Sequence, residues 1–553
     1  MPHRPSTSNS NSNSNSNSTP EQKQPPGGFD STPIPYAPPG FTLKFTFHRA
    51  SNLPIADIST LSADPFVLAR LTAALPRRNK QDPDLVFRTP TISRNVDPVW
   101  DCEWIVANVP ASGFELICRI YDEDPVNSDD KLGNVKISVQ SVSESWPGIT
   151  EQPYKVQKRT ASKRAYFFRS VGMICSRDKH MNATLFISVQ CLGRTPGNEG
   201  ARMYTIGPNF WSKHFSPLIG RLAGTMDSAP AQDGKKPVTR YNFQAIQMQL
   251  KGPVPASLYH RYVEFKPFVK GMFTSHSIRG RILNHALHHQ HVRIYNFDRS
   301  TVYGVYPTPS LQFTQQFLEF VHHDTGGRIF TYVITLDGQW RFTETGKEFG
   351  INMLSKHTMH SDVSIYIAFA GEFFVRGRLH HAQKRRSRSP RPRSRDDSVH
   401  RDVSSDDGDA LVPISTDPAA YELVIDNDSG TYRPNAKLLP ELREFLSMNL
   451  PGLQVTTFDC QQDSKLLDKL KEEQRDLKTR SGRQMTYLQR ASSLSSISSS
   501  DEEDLDEYYR QSSGAAGEST TAMKRLRRMA KPKAQLMNWA ETGGVRRAEA
   551  ADH

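Results

Sequence analysis

Apolar side chains in the first third of the chain fall on alternate positions. Phe41, Leu43, Phe45 and Phe47 share one face of an extended run, and Leu116, Cys118 and Ile120 do so again later. A period of two is the mark of half-buried strands. The same alternation returns in 244–250, through Ile246, Met248 and Leu250, and more strongly in 363–377, through Val363, Ile365, Ile367 and Phe369. Between them, Phe313, Phe317, Phe320 and Val321 recur at helical spacing. From residue 421 the pattern reads strand (421–425), helix (435–450, with Leu438, Leu442 and Phe445 as its stripe), strand (453–459) and helix (464–478). Two strands joined through a helix are expected to lie parallel and to need a larger sheet around them. This piece is therefore assigned with 200–380 rather than to a domain of its own. The expected organisation is multidomain: an all-β domain over 39–195, then an α+β domain with a mixed sheet over 200–380 plus 418–478.

The remaining segments carry no periodicity. Residues 1–38 are a Ser/Asn repeat followed by a Pro/Gly linker, 381–417 are Arg/Ser-rich, and 479–553 mix serine, acidic and basic runs. Such compositions do not bury enough apolar surface to fold, and disorder is expected. The N-terminus has no apolar segment of the secretory kind, and no apolar run approaches the roughly 20 residues that span a bilayer.

Candidate chemistry lies in two loops that follow the strand-like runs of the first domain. One reads NLPIADISTLSADPFV, with Asp57 and Asp64; the other reads RIYDEDPVNSDDKLG, with Asp122, Asp124 and Asp130. Carboxylates gathered at one point repel one another. A hard divalent cation relieves this, because calcium takes about 6–8 oxygen ligands in flexible geometry. The competing reading is that these aspartates are turn formers.

The two loops resemble those of the C2 domain, an eight-stranded β-sandwich that binds calcium and phospholipid. The likeness rests on Asp57 and SADPFV (62–67), on RTPTISRNVDPVWDCEW (88–104), and on the D-x-D-x5-D-x-x-G spacing of Asp122, Asp124, Asp130 and Gly133. The interval from Asp57 to Asp64 is one residue longer than the family pattern. The resemblance implies calcium held by Asp57, Asp64, Asp122, Asp124 and Asp130. It also implies that MNATLFISVQCLG, from Met181, is the last strand of the sandwich. Residues 146–180 would then be an insertion, and its Lys158, Arg159, Lys163 and Arg164 are candidates for contact with anionic phospholipid headgroups; a solvated basic loop is the alternative. Ile58 and Val126, near the loop tips, are candidates for insertion into the headgroup boundary.

A second resemblance covers 200–380 and 420–475. The runs FVKGMFTSHSIRGRI, GRIFTYVITLDGQWRFTETGKEFGINMLSKHTMHSDV and YELVIDNDSGTYRPN are similar to uncharacterised fungal proteins with a domain of unknown function that can follow a C2-like module. It implies no chemistry.

Charge and composition narrow the picture less than the loops do. The net charge of +12 draws on seven basic residues in 384–395, so it says little about the folded domains. That tract offers a route to nucleic acid or nuclear import, as does the basic run 524–533. The serines before the acidic run 501–507 are candidate phosphorylation sites. Five cysteines without paired metal spacing, two of them in strand-like runs, suit buried thiols in a reducing compartment. His285, His288, His289 and His291 lack the carboxylate of a zinc-protease arrangement and read as a polar surface cluster. Asp426 and Asp428, at the end of the 421–425 strand, sit where magnesium-dependent sites of α/β folds form, although Asx-rich turn chemistry explains the same letters. The leading expectation is a cytoplasmic, peripheral-membrane protein that docks on anionic phospholipid with calcium, with a second domain serving as an adaptor or lipid-contacting module of unknown ligand and with protein partners possible. The alternatives are a membrane-recruited enzyme with its site near Asp426 and Asp428, and a nuclear, nucleic-acid-associated protein.

Overall fold

The computed structural model describes residues 32–56, 62–80, 82–123, 129–157, 182–197, 202–215, 226–228, 239–241, 243–261, 291, 294–295, 297–298, 300–344, 360–362, 366–378, 415–428 and 434–481. The first domain is built from β1 (Phe41–Ser51), β2 (Pro65–Thr72), β3 (Leu85–Arg88), β4 (Val99–Val109), β5 (Phe114–Asp122), β6 (Asp130–Val139), β7 (Ile149–Lys155), β8 (Thr184–Arg194) and β9 (Tyr204–Gly207). They form two sheets, ordered β7-β8-β1-β4-β9 and β3-β2-β5-β6. The alternation of β1 and β5 turns Phe41, Leu43, Phe45 and Phe47 from one sheet and Leu116, Cys118 and Ile120 from the other into a common core. Trp104 fills its centre, 5.6 Å from the Phe45 ring and 5.5 Å from Phe87. Burial of each such side chain contributes roughly 1.5–3 kcal/mol. The chain crosses from β4 in one sheet to β5 in the other through Gly113, where φ is +86° and a Cβ would meet the Val139 carbonyl oxygen at 1.9 Å, so only glycine fits.

Two features depart from expectation. β7 lies inside the segment 146–180 read as an insertion, and it pairs with β8. It is an exposed edge strand with Pro153 in it, a place sheets tolerate proline; without a buried face it has no alternation to reveal it. The last residues before the second domain also return to the first: β9 pairs with β4, and the Trp104 indole N–H donates to Thr205 Oγ1 at 3.1 Å.

The second domain contains β10 (Asn209–Phe215), β11 (Met226–Ser228), β12 (Thr239–Tyr241), β13 (Gln244–Gln249), β14 (His260–Arg261), β15 (Val302–Tyr306), β16 (Phe330–Ile334), β17 (Gln339–Glu344), β18 (Tyr366–Ile367), β19 (Phe369–Gly377), β20 (Tyr421–Asp426) and β21 (Gln454–Phe458). Its helices are α1 (Leu311–Phe320), α2 (Leu439–Asn449) and α3 (Ser464–Ser481). Eight strands make one mixed sheet, ordered β15-β10-β13-β17-β16-β19-β20-β21; β20 and β21 are parallel and joined through α2. One face packs Trp340, Phe342, Phe373, Leu423 and Ile425 against Phe313 and Phe317 of α1 and Leu442 and Phe445 of α2. Ser310 starts α1 by accepting the Phe313 N–H on its hydroxyl at 3.2 Å, a cap that satisfies one otherwise orphaned donor. The other face carries Val424 and Phe374 beneath Leu467 and Leu470 of α3, and beside them a row of buried polar residues. Among the described residues no helix is long and apolar enough to cross a membrane.

Candidate functional site

The ladder of the second sheet decides where the loop carboxylates meet. β2 and β5 are in register from Pro65 opposite Asp122, and β5 and β6 end with Asp122 opposite Asp130. Asp64, one residue before Pro65, therefore sits at the same end as Asp122 and Asp130. Asp64 and Asp122 are 2 % and 1 % exposed. The Asp64 N–H donates to Asp122 Oδ1 at 2.5 Å, and the Arg94 N–H donates to Asp64 Oδ1 at 2.6 Å. The Asp64 carbonyl accepts from the Glu123 N–H at 3.0 Å. These bonds fix the carboxylates at the loop base and help offset their burial.

Three of the five predicted metal-site residues are thus brought to one sheet end. Asp57 and Asp124, with Ile58 and Val126, lie outside the described residues, as do Lys158, Arg159, Lys163 and Arg164. Among the described residues no group of three or more His, Cys, Asp or Glu side chains is arranged to hold a metal. The donor chemistry present, carboxylate oxygens at a shared loop base, fits a hard cation such as calcium.

The structure adds two residues that sequence reasoning passes over. Arg88, at the end of β3, donates to Glu123 Oε2 at 3.1 Å, and Glu123 lies directly between Asp122 and Asp124 in sequence. The Arg88 guanidinium is sandwiched between Phe66, 3.7 Å from its centroid, and Phe297 of the second domain, 3.6 Å away. Thr91 donates its hydroxyl to the same Glu123 oxygen. Burial draws Arg88 down to about 10, opposed by Glu123. Burial likewise raises the Glu123 carboxyl, opposed by Arg88. Each partner is pushed towards neutrality by its surroundings and held charged by the other. The only sequence signal is the acidic residue between two candidate ligands. Replacing Arg88 with leucine is expected to cost about 2–3 kcal/mol, because it removes a charged hydrogen bond and a desolvated cation–π interaction together. Chemical denaturation monitored by fluorescence measures it; a cost below about 0.5 kcal/mol contradicts a buried sandwich.

The second candidate site resolves differently. Asp426 is 1 % exposed, and its carboxylate is spoken for. Its Oδ1 accepts the N–H groups of Glu372 and Asp428, each at 2.9 Å, and its Oδ2 lies 2.7 Å from Lys471 Nζ of α3. The same ammonium donates to Glu372 Oε2 at 2.6 Å. Lys471 thus answers both carboxylates, and Asp426 is a member of a buried ion triad. Burial pushes the Asp426 carboxyl up to about 6, against Lys471 and with the help of Glu372. Burial pulls the Lys471 ammonium down, but the two carboxylates more than reverse it and hold it above its ordinary range. Two carboxylates share one ammonium here.

The histidine run also departs from a surface reading. His291 is 7 % exposed and stacks on Tyr295 with centroids 5.0 Å apart; His285, His288 and His289 lie outside the described residues. His360 bonds the Tyr295 hydroxyl through Nδ1 at 2.5 Å and Thr331 Oγ1 through Nε2 at 3.1 Å. Arg341 Nη1 donates to the His360 carbonyl at 3.0 Å. This network lies on the polar face of the sheet and consists of polar groups satisfying one another.

The sequence profile of the C2 domain family matches residues 41–154, which span the loop-bearing strands; β8 completes the sandwich beyond the match. Among curated proteins, 127 residues are 30 % identical to the fission yeast (Schizosaccharomyces pombe) uncharacterized protein C962.01, covering 22 % of this chain and 8 % of that one. Protein C2-DOMAIN ABA-RELATED 4 of Arabidopsis thaliana is 28 % identical over 103 residues, covering 19 % and 50 % of the two chains. The chain thus spans half the length, or less, of these relatives. A solved C2 domain of plant extended synaptotagmin 1 aligns with 29 % of this chain and 99 % of its own, at 18 % identity and a TM-score of 0.20. On the strand order, the carboxylate-bearing sheet end and the profile match together, the N-terminal domain of this chain is a C2 domain.

Proposed function

We propose that the chain is a peripheral membrane protein of the cytoplasm, whose C2 domain docks on anionic phospholipid when calcium fills the loop end. The observation that carries this reading is the convergence of Asp64, Asp122 and Asp130 at one end of the β2-β5-β6 ladder. The C2 family is associated at large with lipid binding. Asp57 and Asp124 would complete the ligand set from the two adjoining loops. Bound calcium would supply positive charge that neutralises the carboxylates and meets lipid phosphate. Ile58 and Val126 enter the headgroup boundary, and Lys158, Arg159, Lys163 and Arg164 add attraction to the anionic surface. The contact of Phe297 with Arg88 brings the second domain close to this end, so that domain travels to the membrane with the loops and serves there as an adaptor.

The basic residues give the reading its electrostatic test. Charge-neutral replacement of Lys158, Arg159, Lys163 and Arg164 is expected to weaken partition onto phosphatidylserine vesicles at low salt by about 1 kcal/mol per charge that faces the lipid, roughly a thousandfold if all four do, a difference that shrinks as salt screens it. Equal partition of the variant and the parent protein at low salt removes the basic segment from the docking surface.

A further inference from the structure

The two domains form between them a half-open cavity of about 470 Å³. Its apolar walls come from Leu71, Leu75, Leu85 and Met203 of the C2 domain and from Val254 and Leu336 beyond it. Residues 34–37 form a strap along one side, tied down by Arg78, which donates to the carbonyls of Thr32 at 2.7 Å and Ala256 at 3.2 Å. The volume and the interdomain position are those of small-ligand sites, which pair apolar walls with a few convergent polar groups.

Three guanidiniums line the cavity, Arg77, Arg78 and Arg202, against two carboxylates, Asp82 and Asp84. Arg77 is paired with Asp84, and Arg78 is committed to the strap. Arg202 donates from Nη2 to the Pro83 carbonyl at 2.8 Å and lies in the field of the Tyr259 hydroxyl, Asp337 and Asp82. Its Nη1 is buried and meets no acceptor. A buried guanidinium donor left without an acceptor is unusual in a native fold and calls for one.

We propose that this cavity binds a single-chain amphiphile with a carboxylate head. The head accepts from the Arg202 guanidinium, and the chain lies on the leucine, methionine and valine walls. A carboxylate suits the forked donors of arginine.

The test is calorimetric titration of the full chain with decanoate below its micelle concentration, with decanol as the neutral control and no vesicles present. Membrane docking therefore plays no part in the outcome. The expected result is saturable one-site binding of decanoate, with decanol at least tenfold weaker. R202M should lose at least tenfold in decanoate affinity while decanol is unchanged, and V254W, which fills the cavity, should lose both. The decanoate–decanol comparison needs no variant, so it stands even where R202M fails to fold. Absence of saturable decanoate binding, or equal binding of acid and alcohol, overturns the proposal. A folded R202M with parental affinity does so too.

Discussion

Replacing Lys471 with methionine is expected to destabilise the second domain by about 3–5 kcal/mol, the cost of removing one partner from a buried ion pair. The side chains of Lys471 and Glu372 are each 9 % exposed and that of Asp426 1 %, so the two carboxylates left behind cannot turn to water. Methionine keeps the volume and the packing of the lysine stem, which leaves charge as the variable. The carboxylates would take up protons to survive burial, and the loss should therefore be largest above the ordinary carboxylate range. Adding Glu372→Gln and Asp426→Asn to the Lys471→Met background should recover most of the loss, because no buried charge then remains. Thermal and chemical denaturation of the three proteins reads the series. A loss below about 1 kcal/mol for Lys471→Met, or no recovery in the triple variant, contradicts a dry triad.

That triad also marks where the sequence stops being readable. Helix α3 is visible from its leucines, but Lys471 stands in a run that also holds Lys465, Lys469 and Lys478. Nothing local distinguishes the lysine that is buried against the sheet. Asp426 is visible as an acid at a strand end, and only the tertiary arrangement shows that a lysine rather than a metal answers it. The strands of the C2 core are readable because burial on one face writes a period of two into β1 and β5. β7 buries no face and is hidden for the same reason. β9 falls on the far side of the boundary expected near residue 200, since Tyr204–Gly207 is too short for any period and its pairing with β4 is set from a distance. The aspartate loops stand out because ligand chemistry constrains spacing. Arg88 and Glu123 do not, because a cation–π sandwich between domains leaves no local signature. His291 illustrates the converse: a polar run suggests solvent, whereas the Tyr295 ring and the sheet bury it.

The calcium-dependent step is the centre of the account, and it turns on groups whose shape can be kept while their charge is removed. Asparagine at positions 64 and 122 retains an oxygen that can accept the Arg94 and Asp64 N–H groups, so the loop base should hold. Two of the five carboxylates proposed as metal ligands are then gone, and calcium affinity depends steeply on ligand charge. Co-sedimentation of the full chain with phosphatidylserine vesicles, with calcium and then with chelator, is the most direct measurement. The parent protein should sediment with calcium and largely remain in solution without it. The Asp64→Asn, Asp122→Asn variant should remain in solution in both while keeping its unfolding midpoint within a few degrees. Sedimentation of the parent that ignores calcium, or a folded double variant that still sediments only with calcium, would contradict the assignment of these aspartates.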